Sequence, residues 1–167
     1  MASKIQSEGV SNLQRYVLLE RIAGGGMGEV FRAKAFGAHG FSKDLAIKRI
    51  LPRFAEDPLF EDRFIAEAKL AASLTHANIV QVFDFGRLGG SLYIAMELVD
   101  GVNLGELFRS YHERGESIPF AVCAHIAMEL CKGLDYAHHR DVVHRDISPP
   151  NVLLSHSGEV KIGDFGI

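Results

Sequence analysis

The sequence predicts an α+β fold of two unequal lobes, and three observations carry that prediction. Five β-rich segments separated by turns lie before residue 97, a single amphipathic helical stretch interrupts them, and beyond about residue 100 the apolar spacing becomes helical. In order, Tyr16 to Ala23 is a strand running into the glycines of Gly24 to Gly28, and Glu29 to Ala35 returns as the second arm of a hairpin. Phe36 to Asp44 reads as a turn containing Gly and His, and Leu45 to Ile50 as the third strand.

Asp57-Pro58 marks a helix start, because Asp can cap and Pro is tolerated at the first helical position. Phe60, Phe64, Ala71 and Leu74 follow at helical spacing. Glu67 shares their stripe, so the helix aims a carboxylate at the body of the domain, where it needs a cationic partner. Val80 to Phe85 and Leu92 to Met96 read as two further strands around Gly89 and Gly90. Leu104 to Tyr111 and Pro119 to His139 read as helices, the second carrying Val122, Ile126, Leu130, Leu134 and Ala137 on one stripe. The lobe boundary falls near residue 100, and residues 1–15 read as a flexible tail.

At 167 residues and 47% hydrophobic, the chain suits one ordinary domain or two small lobes. Its 18 basic and 21 acidic residues give a net charge of -3 without a long run of one sign, which argues against a nucleic-acid groove or a polybasic membrane patch. Met1 to Gln14 lacks the apolar core of a signal peptide, and no apolar run is long enough to span a bilayer, so the expected location is cytoplasmic. Cys123 and Cys131 lie in one predicted helix without CxxC spacing and are expected to be small packing residues.

Three motifs carry chemistry. His144-Arg145-Asp146 is followed by Asn151, five residues after Asp146, and by Asp164-Phe165-Gly166, starting thirteen residues after Asn151. That order supplies a base, an amide and a carboxylate, as phosphoryl transfer from a Mg²⁺-nucleotide requires. Singly, Asp146 could cap a turn, Asn151 brace a loop, and the triplet form a surface ion-pair cluster. The glycines from Gly24 to Gly28 would let backbone N–H groups approach phosphates, although a plain hairpin turn uses the same residues. In Leu45-Ala46-Ile47-Lys48, strand alternation puts Ala46 and Lys48 on one face. Glu67 is a candidate partner for Lys48, and Arg32 or Arg49 could serve Glu67 instead.

Taken in order, these motifs resemble the protein kinase superfamily, specifically a bacterial, eukaryotic-like Ser/Thr kinase. The resemblance runs from residue 16 to 167 through Gly28-Glu29-Val30, Ala46-Ile47-Lys48, Glu67, His76-Ala77-Asn78-Ile79-Val80, Met96-Glu97-Leu98-Val99, His144-Arg145-Asp146, Asn151 and Asp164-Phe165-Gly166. It implies a kinase-like α+β fold: a small lobe over 16–96 with a five-stranded antiparallel sheet and one main helix, a hinge over 97–102, and a mainly helical, incomplete large lobe over 103–167. It also implies ATP and Mg²⁺ as cofactors and a protein bearing Ser or Thr as substrate, with no nucleic-acid or membrane contact in this segment.

By the same resemblance, Lys48 binds α- and β-phosphates and is oriented by Glu67, Asp146 accepts the substrate proton, and Asn151 and Asp164 hold Mg²⁺. Ile22, Ala23, Gly24, Gly25, Gly26, Met27 and Gly28 form the nucleotide loop. Val30, Ala46 and Leu153 sandwich adenine, the backbone of Glu97 and Val99 hydrogen-bonds it, Met96 guards the back of the pocket, and Asn103 lies near the ribose. Arg145 would pair with a phosphorylated residue of the activation segment and, lacking it, stay unpaired or borrow a local carboxylate. Ala23, Ala71 and Ser148 depart from the pattern: Ala23 replaces a glycine, Ala71 a larger residue, and Ser148 the lysine that reaches the transferred phosphate. In the family an activation segment with an Ala-Pro-Glu anchor and further helices would follow Gly166, so this segment alone is expected to bind ATP with an incomplete protein-substrate site and exposed apolar surface. The competing readings are a pseudokinase or nucleotide-binding interaction module and a small-molecule phosphotransferase.

Overall fold

The computed structural model describes residues 15–25, 27–55, 57–88 and 90–165. Residues 1–14 of the tail expected over 1–15, Gly26 of the loop, Gly89 and Gly166 lie outside the described residues. Five strands form the small lobe: β1 (Tyr16–Gly24), β2 (Gly28–Phe36), β3 (Ser42–Ile50), β4 (Val82–Leu88) and β5 (Ser91–Met96), in the order β1-β2-β3-β5-β4, every pair antiparallel. β3 begins three residues earlier than the sequence pattern indicates. Ser42, Lys43 and Asp44 are polar and exposed, so nothing in their alternation marks a strand, yet they continue an unbroken ladder with Phe36, Ala35 and Lys34. β4 starts at Val82 and not Val80, because the segment before it is drawn to the second lobe. The Val80 N–H donates to the Ile162 carbonyl at 2.9 Å, and the Ile162 N–H donates to Asn78 at 2.9 Å.

Strand alternation divides the apolar residues between two faces. On one face Ile50, Val82, Leu92 and Ile94 pack with Phe64, Ala68 and Ala71 of α2 (Pro58–Ser73) and with Leu74 just after it. The helix starts as its sequence indicates: Pro58 is at its first turn, and the Asp57 carboxylate accepts the Leu59 N–H at 3.0 Å. A four-residue helix, α1 (Pro52–Ala55), precedes it. On the opposite face Ala33, Leu45, Ile47 and Ala95 surround Tyr16 and Tyr93, whose hydroxyls both donate to Asp84 Oδ2, at 2.8 and 3.0 Å. Burial, reinforced by that shared carboxylate, pushes the Tyr16 phenol up to about 12 and the Tyr93 phenol higher still.

The second lobe opens with β6 (Gly101–Asn103), which pairs with β7 (Val152–Ser155) and through it with β8 (Val160–Ile162) in a small antiparallel sheet. Gly101 is required there, since a Cβ would stand 1.9 Å from the Leu154 carbonyl oxygen. α3 (Leu104–Glu113) starts in a reciprocal capping box: Asn103 Oδ1 accepts the Glu106 N–H and Glu106 accepts the Asn103 N–H, each at 2.9 Å. α4 (Phe120–His138) buries Ile126, Gly133 and Ala137, while Val122 remains exposed. The expectation that the two cysteines are packing residues fails: Cys123 and Cys131 are free and exposed on α4, beside exposed Phe120 and Met128. No helix among the described residues is long and apolar enough to cross a membrane.

Asn78 joins loop, helix and strand. Its Nδ2 donates to Glu129 on α4 at 2.8 Å and to the Val160 carbonyl on β8 at 2.9 Å. Asn78→Ala leaves both acceptors without this donor and is expected to cost about 2–3 kcal/mol in urea unfolding. The tyrosines predict a pH dependence. Their folded-state values exceed the unfolded phenol value of about 10, so their contribution is complete below that pH and is lost as pH rises through the folded values. Stability should therefore fall between about pH 10 and 12, and a Tyr16→Phe, Tyr93→Phe variant should show a shallower fall in thermal unfolding.

Candidate active site

A cleft of about 270 Å³ lies between the lobes. The small lobe contributes Ile22 and Ala23 from the end of β1, Val30, Ala46 and Met96; the connection contributes Glu97 and Val99; the large lobe contributes Asn103, Asn151, Leu153 and Asp164. Ladder register explains the apolar part: Ala46 pairs with Met96 between β3 and β5, and Met96 with Val82 between β5 and β4. Gly24, Gly25, Met27 and Gly28 do not line this cleft, but they form the turn above it, where the Gly25 N–H donates to the Gly28 carbonyl at 2.9 Å. A Cβ at Gly28 would come within 2.6 Å of the Arg49 carbonyl oxygen, so the close crossing of β2 and β3 excludes a side chain. Asn103 lines the cleft with its side chain committed to the α3 cap.

The sequence reading missed Val80, Leu98, Gly101, Val102, Glu106, Pro150 and Gly163, which also line the cleft. Glu106 was recoverable from the Asn-x-x-Glu spacing of a capping box, and Gly163 from its place before Asp164. Val80 depends on the pairing of its segment with β8, which no local pattern encodes.

Residues 97–100 cross between the lobes without regular structure. No hydrogen bond among the described residues uses the Glu97 carbonyl or the Val99 N–H. Both residues line the cleft, and this carbonyl and N–H, without an internal partner, are available to an edge that presents one donor and one acceptor.

The segment around Asp146 is ordered by His144, which is 1% exposed. A carbonyl can only accept, so the 2.8 Å contact with the Gly163 oxygen places a hydrogen on Nε2, and Nδ1 accepts the Asp146 N–H at 3.2 Å. The Phe165 ring packs on this imidazole with centroids 4.6 Å apart. Asn151 Nδ2 donates to the Asp146 carbonyl at 2.9 Å and to its carboxylate at 3.0 Å, which leaves the amide oxygen of Asn151 uncommitted. Arg145 and Asp164 hold left-handed backbones, with φ of 69° and 55°, at a cost on the order of 1–3 kcal/mol each that the surrounding bonds offset.

The expected pairing of Lys48 with Glu67 is not formed. Lys48 Nζ contacts Asp164 Oδ1 at 2.9 Å, while Glu67 lies 4.0 Å from Arg145 Nη1. Neither Arg32 nor Arg49 takes Glu67; they pair with Asp44 and with Glu29. Lys48 is only 12% exposed and one carboxylate compensates its charge, which Asp164 reaches from the left-handed turn after β8. Arg145 borrows a local carboxylate as expected, at long range and largely in solvent. Beside Lys48, the short Ala71 side chain borders a void of about 20 Å³ that also touches Phe165, the space a larger residue would fill.

Residues 16–167 match the protein kinase domain family. The tyrosine-protein kinase MasK of Myxococcus xanthus is 41% identical over 91% of this chain and 25% of its own length. The serine/threonine-protein kinase PknB of Mycobacterium tuberculosis is 39% identical over 92% of this chain and 24% of its own. The chain therefore spans about a quarter of the length of these curated relatives. A crystal structure of the Mycobacterium tuberculosis PknI kinase domain superposes with a TM-score of 0.77 at 34% identity, covering 95% of this chain and 62% of that one.

The hydrogen-bond roles around His144 predict its tautomer. Nitrogen-15 NMR of the labelled chain near neutral pH should show Nε2 protonated and Nδ1 as the acceptor; a protonated Nδ1 would contradict the bond assigned to the Asp146 N–H.

Proposed function

The chain belongs to the protein kinase family, and we propose that it forms the nucleotide site of an enzyme that transfers the γ-phosphoryl group of ATP to Ser or Thr hydroxyls of proteins. The observation that carries this reading is the pair of free peptide groups at Glu97 and Val99 beside an apolar slot made by Val30, Ala46 and Leu153. Adenine offers one donor and one acceptor on a flat apolar ring, and this slot complements both. Lys48 then meets the α- and β-phosphates, and Asp146, held by Asn151, takes the proton of the attacking hydroxyl.

Asn151 and Asp164 fit Mg²⁺, a hard cation that prefers carboxylate and amide oxygens, because Asn151 keeps its oxygen uncommitted while its nitrogen braces Asp146. When bound, the cation supplies positive charge against the phosphates. Glu67 is proposed to orient Lys48 only in an arrangement where Asp164 releases it. Ser148 provides no cation near the transferred group, which lowers the expected rate. A cytoplasmic location, the compartment that supplies ATP, belongs to the proposal.

A second reading, transfer to Tyr, is favoured by two observations: Ser148 stands where Ser/Thr enzymes typically carry a lysine, and a relative at 41% identity carries a tyrosine-kinase name. Phosphoamino-acid analysis of a phosphorylated protein substrate separates the two. The protein containing this segment should yield phosphoserine or phosphothreonine, and Lys48→Met, Asp146→Asn or Asp164→Ala should each reduce the rate by about 10²-fold or more with the fold retained. Undiminished transfer by Asp164→Ala would remove the metal role, and phosphotyrosine alone would establish the second reading.

A further inference from the structure

Behind the 97–100 connection, away from the cleft, Lys161 on β8 is 7% exposed and places Nζ 3.0 Å from Glu97 Oε1. Glu97 is held from the other lobe as well: its N–H donates to the Gln81 carbonyl at 2.8 Å, and its Oε2 accepts the Gln81 N–H at 3.3 Å. The connection has no ladder of its own, and beyond these contacts it is fixed by the His156 N–H, which donates to the Asp100 carbonyl at 2.9 Å. The segment is therefore a single peptide strand between two spaces, the cleft on one side and an open groove bordered by Lys161, Ser155 and Glu159 on the other.

We infer that Lys161 is a positioning residue for base recognition, its ammonium holding Glu97 so that the Glu97 carbonyl and Val99 N–H keep their aim into the cleft. The inference rests on the nucleotide-site reading above and deepens it. A buried ammonium is costly unless paired, so the contact resists the fluctuations that release exposed ion pairs. Lys48 and Lys161 then have separable tasks: Lys48 faces the phosphate end, and Lys161 acts through the connection on the base alone.

Titrating the chain with adenosine and separately with inorganic tripolyphosphate distinguishes these tasks, with circular dichroism reporting the fold. Lys161→Met is expected to weaken adenosine about tenfold and to leave tripolyphosphate within about twofold of wild type, whereas Lys48→Met should weaken tripolyphosphate and spare adenosine. Lys161→Arg, which keeps the charge, should recover most of the adenosine affinity. Should Lys161→Met fail to fold, Glu97→Gln carries the same test, with the same selective loss expected. Unchanged adenosine affinity in the folded variant, or an equal loss for both probes, overturns the inference while the nucleotide site stands. A wild-type chain that binds no adenosine overturns the nucleotide reading and this inference with it.

Discussion

The hydrogen bonds of residues 160–163 are the constraint on which the rest of the structure depends. Within four residues, Val160 accepts from Asn78, Ile162 exchanges two bonds with the 78–80 segment, and Gly163 donates to Asn151 at 2.8 Å while accepting from His144. The segment thereby fixes the approach to β4, the loop around Asp146 and the turn that presents Asp164. Backbone groups in such a position must be paired because water does not reach them: Val160, Lys161 and Ile162 are all buried. The cleft inherits its shape from this obligation, and a change in the path of β8 would move both lobes' contributions together.

Local chemistry explains what was legible in the sequence. Asp57 capping a helix opened by Pro58, Ala46 and Lys48 two apart on a strand, and Asn151 five residues after Asp146 are short-range relations, and each carries its geometry with it. The strands of the second lobe were not legible, because three or four residues such as Val160–Ile162 show no periodicity and exist through their partners. Cys123 and Cys131 were misjudged for a related reason: a small apolar residue in a helix is buried only if something packs against that face, and α4 presents those positions outward.

Charge pairing marks the sharper limit. Lys48, Arg145, Glu67 and Asp164 form a set of two cations and two anions, and sequence spacing ranks no pairing above another. The structure ranks them by burial. Lys48 is nearly enclosed, so its contact at 2.9 Å matters far more than the 4.0 Å contact of Arg145, which is 76% exposed and screened by solvent. Moving Glu67 away from Arg145 therefore costs little, whereas moving Lys48 from Asp164 costs much unless another anion replaces it.

Whether Glu67 can be that anion is decided by α2, not by the charges. Phe64, Ala68, Ala71 and Leu74 hold the helix in the main core, and the turn from Glu67 to Ala71 carries the smallest side chains of that face. The void beside Ala71 leaves Phe165 and Lys48 with fewer packing atoms on that side than a larger residue would give. Charge exchange at Lys48 and the position of α2 are thus one problem in packing: the carboxylate on Lys48 is the one whose supporting element is better held, and here that element is the turn after β8, anchored by Gly163 to both His144 and Asn151.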